Sequence, residues 1–102
     1  MPSLFEPLKI KGISFKNRLV MPPMLTSMAS EDGEVTDRHI RHYTTRAEGG
    51  VGLIIVEATY VSKGGKLCQG QMGLYDDKLI PSLKRLIAAI HALGTKTVIQ
   101  LY

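Results

Sequence analysis

Three short segments of the chain carry residue types that suit the binding of a flat, polar ring. The segment Pro22 to Leu25 is rigid, apolar and poor in hydrogen-bond donors, which favours a surface under a ring over acid–base catalysis. Gln100 interrupts an apolar stretch, and its amide offers the donor and acceptor that an imide edge requires. A glutamine satisfied by backbone groups inside a barrel is the alternative. Glu57 is expected to form a structural ion pair rather than to act as a catalytic carboxylate, and the small Ala58 would let a ligand approach the backbone.

Other residues with metal-binding or reactive side chains form no complete site in the sequence. His39, His42 and His91 fall on predicted helices without the further ligands that a metal ion needs, so we expect surface or capping histidines and no metal site. The sequence Gly64-Gly65-Lys66 lacks the spacing and the Ser or Thr of a phosphate-binding loop, which favours a mobile loop. Cys68 is the single cysteine and is expected to be incidental; without a disulfide, a reduced, cytoplasmic setting fits best.

The ring-binding candidates follow three apolar segments that we predict to be parallel strands. Leu19 to Met21 is a short buried strand, which ends at two prolines because proline cannot donate to a sheet ladder. Val51 to Val56 is apolar at all but one position, as in a central parallel strand covered on both faces, and Thr59 to Val61 could extend it. Thr95 to Leu101 supplies the third strand. Because ligands meet the carboxyl ends of parallel strands, the candidates are expected at one edge of the sheet.

Two amphipathic helices are predicted between these strands. The first helix begins after the N-cap Thr36 and ends at Gly49 and Gly50. Its buried face is formed by Ile40, Tyr43 and Ala47. The second helix has an apolar stripe at helical spacing, formed by Leu79, Leu83, Leu86, Ile87, Ile90 and Leu93, with Pro81 in its first turn and Gly94 at its end. Loops of residues 26–35 and 62–76 precede the helices, and a hairpin of residues 8–10 against 13–15 precedes the first strand.

The composition describes an ordinary globular domain rather than a membrane or nucleic-acid-binding protein. The chain has 102 residues, 44% of them hydrophobic, and a net charge of +4. Its basic residues are scattered, without interleaved aromatic residues, which argues against a nucleic-acid partner. The first ten residues lack the apolar core of a signal peptide or anchor, and Val51 to Val56 is too short to span a bilayer. The strand–helix order predicts an incomplete parallel α/β domain that stops after its third strand.

The order and spacing of several motifs resemble the Old Yellow Enzyme family of FMN-dependent NAD(P)H oxidoreductases. The motifs are residues 4–8 (LFEPL), 16–24 (KNRLVMPPM), His42-Tyr43 with Arg46-Ala47, 51–57 (VGLIIVE) and 99–102 (IQLY). The resemblance implies the N-terminal portion of a TIM (β/α)8 barrel, namely the hairpin and about two and a half βα units. Residues 1–102 would then be part of a single FMN-binding domain, with the hairpin closing the bottom of the barrel.

The same resemblance implies a cofactor site and a reaction. The residues expected at FMN are Pro22, Pro23, Met24 and Leu25 against the isoalloxazine, Ala58 through its backbone, and Gln100 at the pyrimidine edge. Hydride would pass from NAD(P)H to the flavin and then to an activated alkene of the enone, enoate or dienoyl-CoA type. The family's substrate-activating pair, proton donor and phosphate-binding loops lie beyond Tyr102, so no catalytic residue is assigned and the isolated chain is expected to be inactive.

One departure from the family pattern affects the expected subfamily. Many relatives carry Thr or Cys where this chain has Leu25, and a leucine cannot make the polar contact that tunes the flavin. The sequence around residues 35–56 looks more like the long branch of 2-enoate and 2,4-dienoyl-CoA reductases, which adds an iron–sulfur cluster and FAD beyond this chain. Two alternatives stay open: another phosphate-binding barrel enzyme such as an aldolase or isomerase, and a truncated fragment that self-associates as a homo-oligomer through open strand edges.

Overall fold

The computed structural model describes residues 3–102, which form a two-stranded hairpin and a three-stranded sheet with two helices. In chain order the elements are β1 (Leu8–Ile10), β2 (Ile13–Phe15), β3 (Val20–Met21), α1 (Asp37–Glu48), β4 (Leu53–Thr59), α2 (Ile80–His91) and β5 (Lys96–Leu101). The predicted hairpin is confirmed, since β1 and β2 pair antiparallel with Leu8 opposite Phe15. Within residues 3–102, neither helix is long and apolar enough to cross a membrane.

The larger sheet has the order β3-β4-β5, and both pairings are parallel, as predicted. Its central strand places Ile54 beside Met21 on one side and beside Thr97 on the other. Each parallel pair is joined by a loop and a helix, which is the connection that parallel strands require. The carboxyl ends of all three strands therefore lie at one edge of the sheet.

The hydrophobic core lies between one face of this sheet and both helices. Ile54 and Val56 of β4 are fully buried there against Tyr43, Leu86 and Ile90. The expectation that β4 is covered on both faces is wrong for the described residues, because α1 and α2 pack on the same face. The opposite face, which we call the open face, leaves Leu53 and Ile55 only half-buried. Val20 and Val98 are each 51% exposed, so the predicted burial of β3 holds for Met21 alone.

Helix α1 begins and ends as predicted, but one of its histidines is buried. Thr36 is the N-cap, with its side chain accepting from the backbone N–H of His39, and Gly50 ends the helix in the left-handed conformation at φ +104°. The buried residues of α1 are His39, Tyr43 and Ala47. The expectation of a surface or capping His39 is therefore wrong: it lies one turn before Tyr43 on the core face, where a buried acceptor pairs with it.

Helix α2 follows the predicted stripe with small differences at its ends. Leu79 is buried but lies in a short 3-10 turn before the helix, and Pro81 is in the first turn. Leu93 follows the helix and is 36% exposed. The stripe residues Leu83, Leu86 and Ile90 supply the buried face.

Asn17 joins the start of β3 to the start of β4. Its amide donates to the carbonyl of Gly50, and its side-chain oxygen accepts from the N–H of Leu19 at 3.0 Å. Gly52 lies directly against it: a Cβ there would be 2.8 Å from the carbonyl oxygen of Asn17. This close approach holds the two strands in register at the end opposite the candidate site.

The loops that follow β3 and β4 are fastened to each other. Backbone N–H groups of Ala29 and Gly73 donate across the loops to Gly70 and Gly33, at 2.8 and 3.0 Å. Lys66 donates to the carbonyl of Glu31 at 2.8 Å, immediately after a 3-10 turn at Lys63–Gly65. The segment considered as a phosphate loop thus contributes to a contact between loops.

Candidate functional site

The pairing of β4 and β5 brings two of the three candidate segments together. Val56 pairs with Ile99 and Thr59 pairs with Leu101, so Glu57 and Ala58 together oppose the single residue Gln100. Two residues opposite one is the definition of a β-bulge, a feature often found next to active sites. The third segment joins them because Thr26, just after Pro22 to Leu25, donates its backbone N–H to Glu57 at 3.3 Å.

The segment after β3 presents an apolar surface at this edge. Pro22 is exposed and Pro23 is half-buried, while the side chains of Met24 and Leu25 are 52% and 41% exposed. Exposed apolar side chains on a proline-stiffened backbone can pack against one face of a flat ring. Pro22 to Leu25 is called the floor segment below.

Gln100 lies on the open face of the sheet. Its neighbour Ile99 packs against the core on the helix side, and successive strand residues point to opposite faces. Gln100 is exposed, and its amide makes no hydrogen bond to any other residue of 3–102. Within the described chain the backbone-satisfied alternative therefore has no support, and both the donor and the acceptor of the amide are free.

Glu57 does not face the open side; it lies fully buried in a cluster of polar side chains. Its carboxylate accepts from the hydroxyl of Tyr43 at 2.6 Å and from the hydroxyl of Thr26 at 3.0 Å, and Nε2 of His39 is 3.3 Å away. The side chains of Glu57, His39 and Tyr43 have no exposure. We call Glu57, His39, Tyr43 and the half-buried Thr26 the buried cluster. The expected partner of Glu57 is His39, and their contact is an ion pair only when the imidazole is protonated.

The hydrogen bonds in this cluster decide the ionisation of Glu57. Burial by itself would raise the pKa of the carboxyl, but the hydrogen bonds from His39 and Tyr43, the charge of His39 and the N–H of Thr26 outweigh it. The pKa of Glu57 is therefore below its ordinary value. Burial, followed by the hydrogen bond to Glu57, raises the pKa of Tyr43. The pair is held as a carboxylate and a neutral phenol.

The backbone of the bulge is satisfied by side chains rather than by the strand ladder alone. The N–H of Glu57 donates to the hydroxyl of Tyr43 at 3.1 Å, and its carbonyl accepts from Thr59 at 2.9 Å. The carbonyl of Ala58 accepts from the buried amide of Gln71 at 2.9 Å. These bonds fix the bulge and therefore the position of Ala58, which is 8% exposed.

Sequence reasoning missed three residues of this arrangement. The sequence predicts that Thr26 and Gln71 lie in loops and that His39 lies at the surface or caps a helix. The spacing of His39 and Tyr43, four residues apart on the helix, would have placed both on one face. Among residues 3–102 no group of three His, Cys, Asp or Glu side chains could hold a metal ion.

The sequence of the chain matches a family of known proteins. The sequence model of the "NADH:flavin oxidoreductase / NADH oxidase family" matches residues 3–102. An NADPH dehydrogenase of Listeria monocytogenes serotype 4a (strain HCC23) is 45% identical over 102 residues, which are 99% of this chain and 30% of that protein.

Solved structures of two similar proteins share the fold of this chain. The Old Yellow Enzyme of Pichia sp. AKU4542 superposes with a TM-score of 0.89 at 34% identity, covering 97% of this chain and 26% of that one. A 2-naphthoyl-CoA reductase in complex with 2-naphthoyl-CoA superposes with a TM-score of 0.92 at 34% identity, covering 96% and 15%. This chain therefore spans less than a third of the length of each of these three proteins.

Proposed function

Because the chain belongs to the NADH:flavin oxidoreductase / NADH oxidase family, we propose that it supplies the flavin floor of an FMN-dependent NAD(P)H oxidoreductase. Its fold is the N-terminal portion of the Old Yellow Enzyme (β/α)8 barrel. Residues 1–102 are proposed to be one part of a single FMN-binding barrel domain. Family membership argues against the alternative of an aldolase or isomerase.

The observation that carries the proposal is the meeting of three groups at one edge of the sheet. The floor segment is exposed and apolar, Gln100 has a free amide on the open face, and the bulge puts Ala58 beside it. An isoalloxazine has matching parts: an apolar ring face and a polar imide edge. The residues present therefore fit FMN.

Each group has a distinct proposed role. Pro22, Pro23, Met24 and Leu25 would pack against the ring, Gln100 would hydrogen-bond the pyrimidine edge, and the backbone of Ala58 would contact a polar ring atom. Bound FMN would supply the redox chemistry, taking hydride from NAD(P)H and passing it to an activated alkene. Within this chain the protein's contribution is to bind and orient the ring.

The proposed substrate is a small molecule with an activated alkene of the enone, enoate or dienoyl-CoA type. The similarity to 2-naphthoyl-CoA reductase supports the thioester form. That protein is long, since this chain covers 15% of it, whereas the chain covers 30% of the more similar Listeria protein. Membership of the long branch, with an iron–sulfur cluster and FAD bound outside residues 1–102, stays a proposal. The single cysteine of this chain supports a reduced, cytoplasmic location.

A hybrid protein tests the proposal. In it, this chain replaces the matching N-terminal segment of the Listeria NADPH dehydrogenase, of which it covers 30%. We expect the hybrid to purify yellow, to contain FMN and to oxidise NADPH with an enone acceptor. Gln100→Leu should weaken FMN binding by about tenfold, the loss of one or two buried hydrogen bonds.

The control for that variant is Gln69→Leu, the same change at an exposed loop position. A folded hybrid that stays colourless in excess FMN would contradict the proposed function. Equal FMN affinity of the two glutamine variants would contradict the role of Gln100.

The 102-residue chain alone is proposed neither to hold FMN tightly nor to turn over, because it spans only part of the barrel of its relatives. A purified sample of the chain that is yellow and oxidises NADH with an enone would overturn this statement. We also propose that the isolated chain self-associates, because its open face and the outer edges of β3 and β5 have no partner within residues 3–102.

A further inference from the structure

We propose that Glu57 is a positioning residue for the flavin, because its buried carboxylate, held by His39 and Tyr43, ties the floor segment to the bulge opposite Gln100. The inference rests on the proposed function and assigns a task to a cluster that would not itself touch the ring. Three contacts carry it: one to the floor segment, one to the bulge and one to the helix behind them.

The first contact fixes the end of the floor segment. Thr26 follows Leu25 directly, and both its backbone N–H and its hydroxyl donate to Glu57, at 3.3 and 3.0 Å. Two bonds from one residue to one carboxylate restrain its position and its orientation. Leu25 and Met24 are otherwise exposed, so this anchor limits how far they can move from a ring packed on them.

The second contact fixes the bulge. The hydroxyl of Tyr43 donates to Oε2 of Glu57 at 2.6 Å and accepts the N–H of the same residue at 3.1 Å. One hydroxyl thus holds both the side chain and the backbone of Glu57. Because the bulge opposes Gln100, this bond also sets where Ala58 lies relative to that amide.

The third contact supplies the remaining donor. Nε2 of His39 is 3.0 Å from the hydroxyl of Thr26 and 3.3 Å from Oε1 of Glu57, while Nδ1 has no partner among the described residues. Both neighbours of Nε2 can accept, so the hydrogen belongs on Nε2. The hydroxyl of Thr26 is then free to donate to the carboxylate, and every bond of the cluster has a donor and an acceptor.

The arrangement has a consequence for the flavin beyond rigidity. A carboxylate fixed close behind the floor segment places a negative charge near the ring, where it opposes the gain of electrons. Removing the charge should make the reduction potential of bound FMN more positive, and loosening the floor should change its visible spectrum. A cluster that only stabilised the fold would alter neither property of the flavin that remains bound.

The test uses the hybrid with Glu57→Gln, which keeps the shape of the side chain and removes its charge. We expect kcat to fall by up to about 100-fold, because a misplacement of about 1 Å near a reacting group can cost that much. FMN affinity should fall as well. The reduction potential should rise and the flavin spectrum should shift. Glu48→Gln, the same change at an exposed helix end, should leave all four properties unchanged.

A second variant covers the case in which Glu57→Gln does not fold. Thr26→Val removes one hydroxyl and keeps the backbone bond, and it should shift the spectrum and weaken FMN binding in the same direction by a smaller factor. In a folded Glu57→Gln hybrid, an unchanged spectrum, potential and kcat would overturn the inference and leave the proposed function intact. If Glu57→Gln does not fold, an unchanged spectrum and FMN affinity in Thr26→Val would do the same. An unmutated hybrid without FMN would refute the proposed function, and this inference with it.

Discussion

Removing the hydroxyl of Tyr43 should destabilise the chain far more than the same change at Tyr75, a half-buried tyrosine whose hydroxyl makes an exposed hydrogen bond. Tyr43→Phe keeps the ring in the core but removes a donor to Glu57 at 2.6 Å and the acceptor for the N–H of Glu57 at 3.1 Å. The N–H of Glu57 would then have no acceptor and could not reach water, because the residue has no exposure, and the carboxylate would keep only its donors from Thr26 and His39. A hydrogen bond to a charged group contributes about 1.5–3 kcal/mol, and a buried unpaired N–H costs about 1–3 kcal/mol. The loss in the free energy of unfolding should therefore be roughly 3–5 kcal/mol.

Urea unfolding followed by far-ultraviolet circular dichroism measures this loss. At low protein concentration the unfolding midpoint of Tyr43→Phe should fall by roughly 1–3 M urea relative to the unchanged chain. The matched control is Tyr75→Phe, which loses one exposed hydrogen bond to the carbonyl of Asp32 at 3.1 Å. The control should lose about 1 kcal/mol or less. Equal, small losses for both variants would refute the assigned energetics of the buried cluster.

Three further predictions concern acid stability, packing and association. Because the pKa of Glu57 in the folded chain is below its ordinary value of 4.5, its ionised form stabilises the fold above that pH, and this stability is lost as the pH falls through the folded pKa. Urea unfolding from about pH 6 to pH 3 should show a weaker pH dependence in Glu57→Gln. Gly52→Ala should cost about 1–3 kcal/mol, measured by urea unfolding, because its Cβ would lie 2.8 Å from the carbonyl oxygen of Asn17. Val98→Lys should shift the isolated chain towards monomer in light scattering, because Val98 is 51% exposed on the open face.

Matched variants serve as controls for these predictions. Gly64→Ala places a Cβ with nothing within 4 Å and should leave the unfolding midpoint almost unchanged. Leu67→Lys alters an apolar residue of similar exposure, 57%, in a loop and should not change association. A Glu57→Gln chain with the full acid sensitivity of the parent would contradict the ionised state assigned to the cluster. If Val98→Lys and Leu67→Lys change association equally, the open face is not the surface through which the chain associates.

Much of the fold followed from local signals in the sequence. The apolar run ending at Val56 predicted the central strand, and the stripe from Leu79 to Leu93 predicted α2, because burial on one side imposes a period on the residues. The two prolines after Met21 predicted where β3 ends, since proline removes a ladder donor. The motif residues also predicted the family, and the positions of the floor segment and Gln100 at the strand ends followed from the strands.

The buried cluster could be seen only in the tertiary structure. Its members are far apart in the chain: Glu57 is 31 residues from Thr26, 18 from His39 and 14 from Tyr43. A histidine and a glutamate are each expected outside when considered singly, because burial of either without a partner is costly. His39 and Glu57 pair with each other, and this hydrogen bond allows His39 to be buried instead of exposed.

The bulge, like the buried cluster, depends on residues that are far apart in the chain. Nothing in residues 56–59 marks an extra residue, since the register depends on how β5 pairs with β4 and on the hydroxyl of Tyr43 that takes the displaced N–H. The sequence by itself determined which elements form and which strand ends carry the ring-binding residues. Only the tertiary structure decided that Glu57 turns towards the helix and Gln100 stays on the open face, because those directions depend on partners from separate elements.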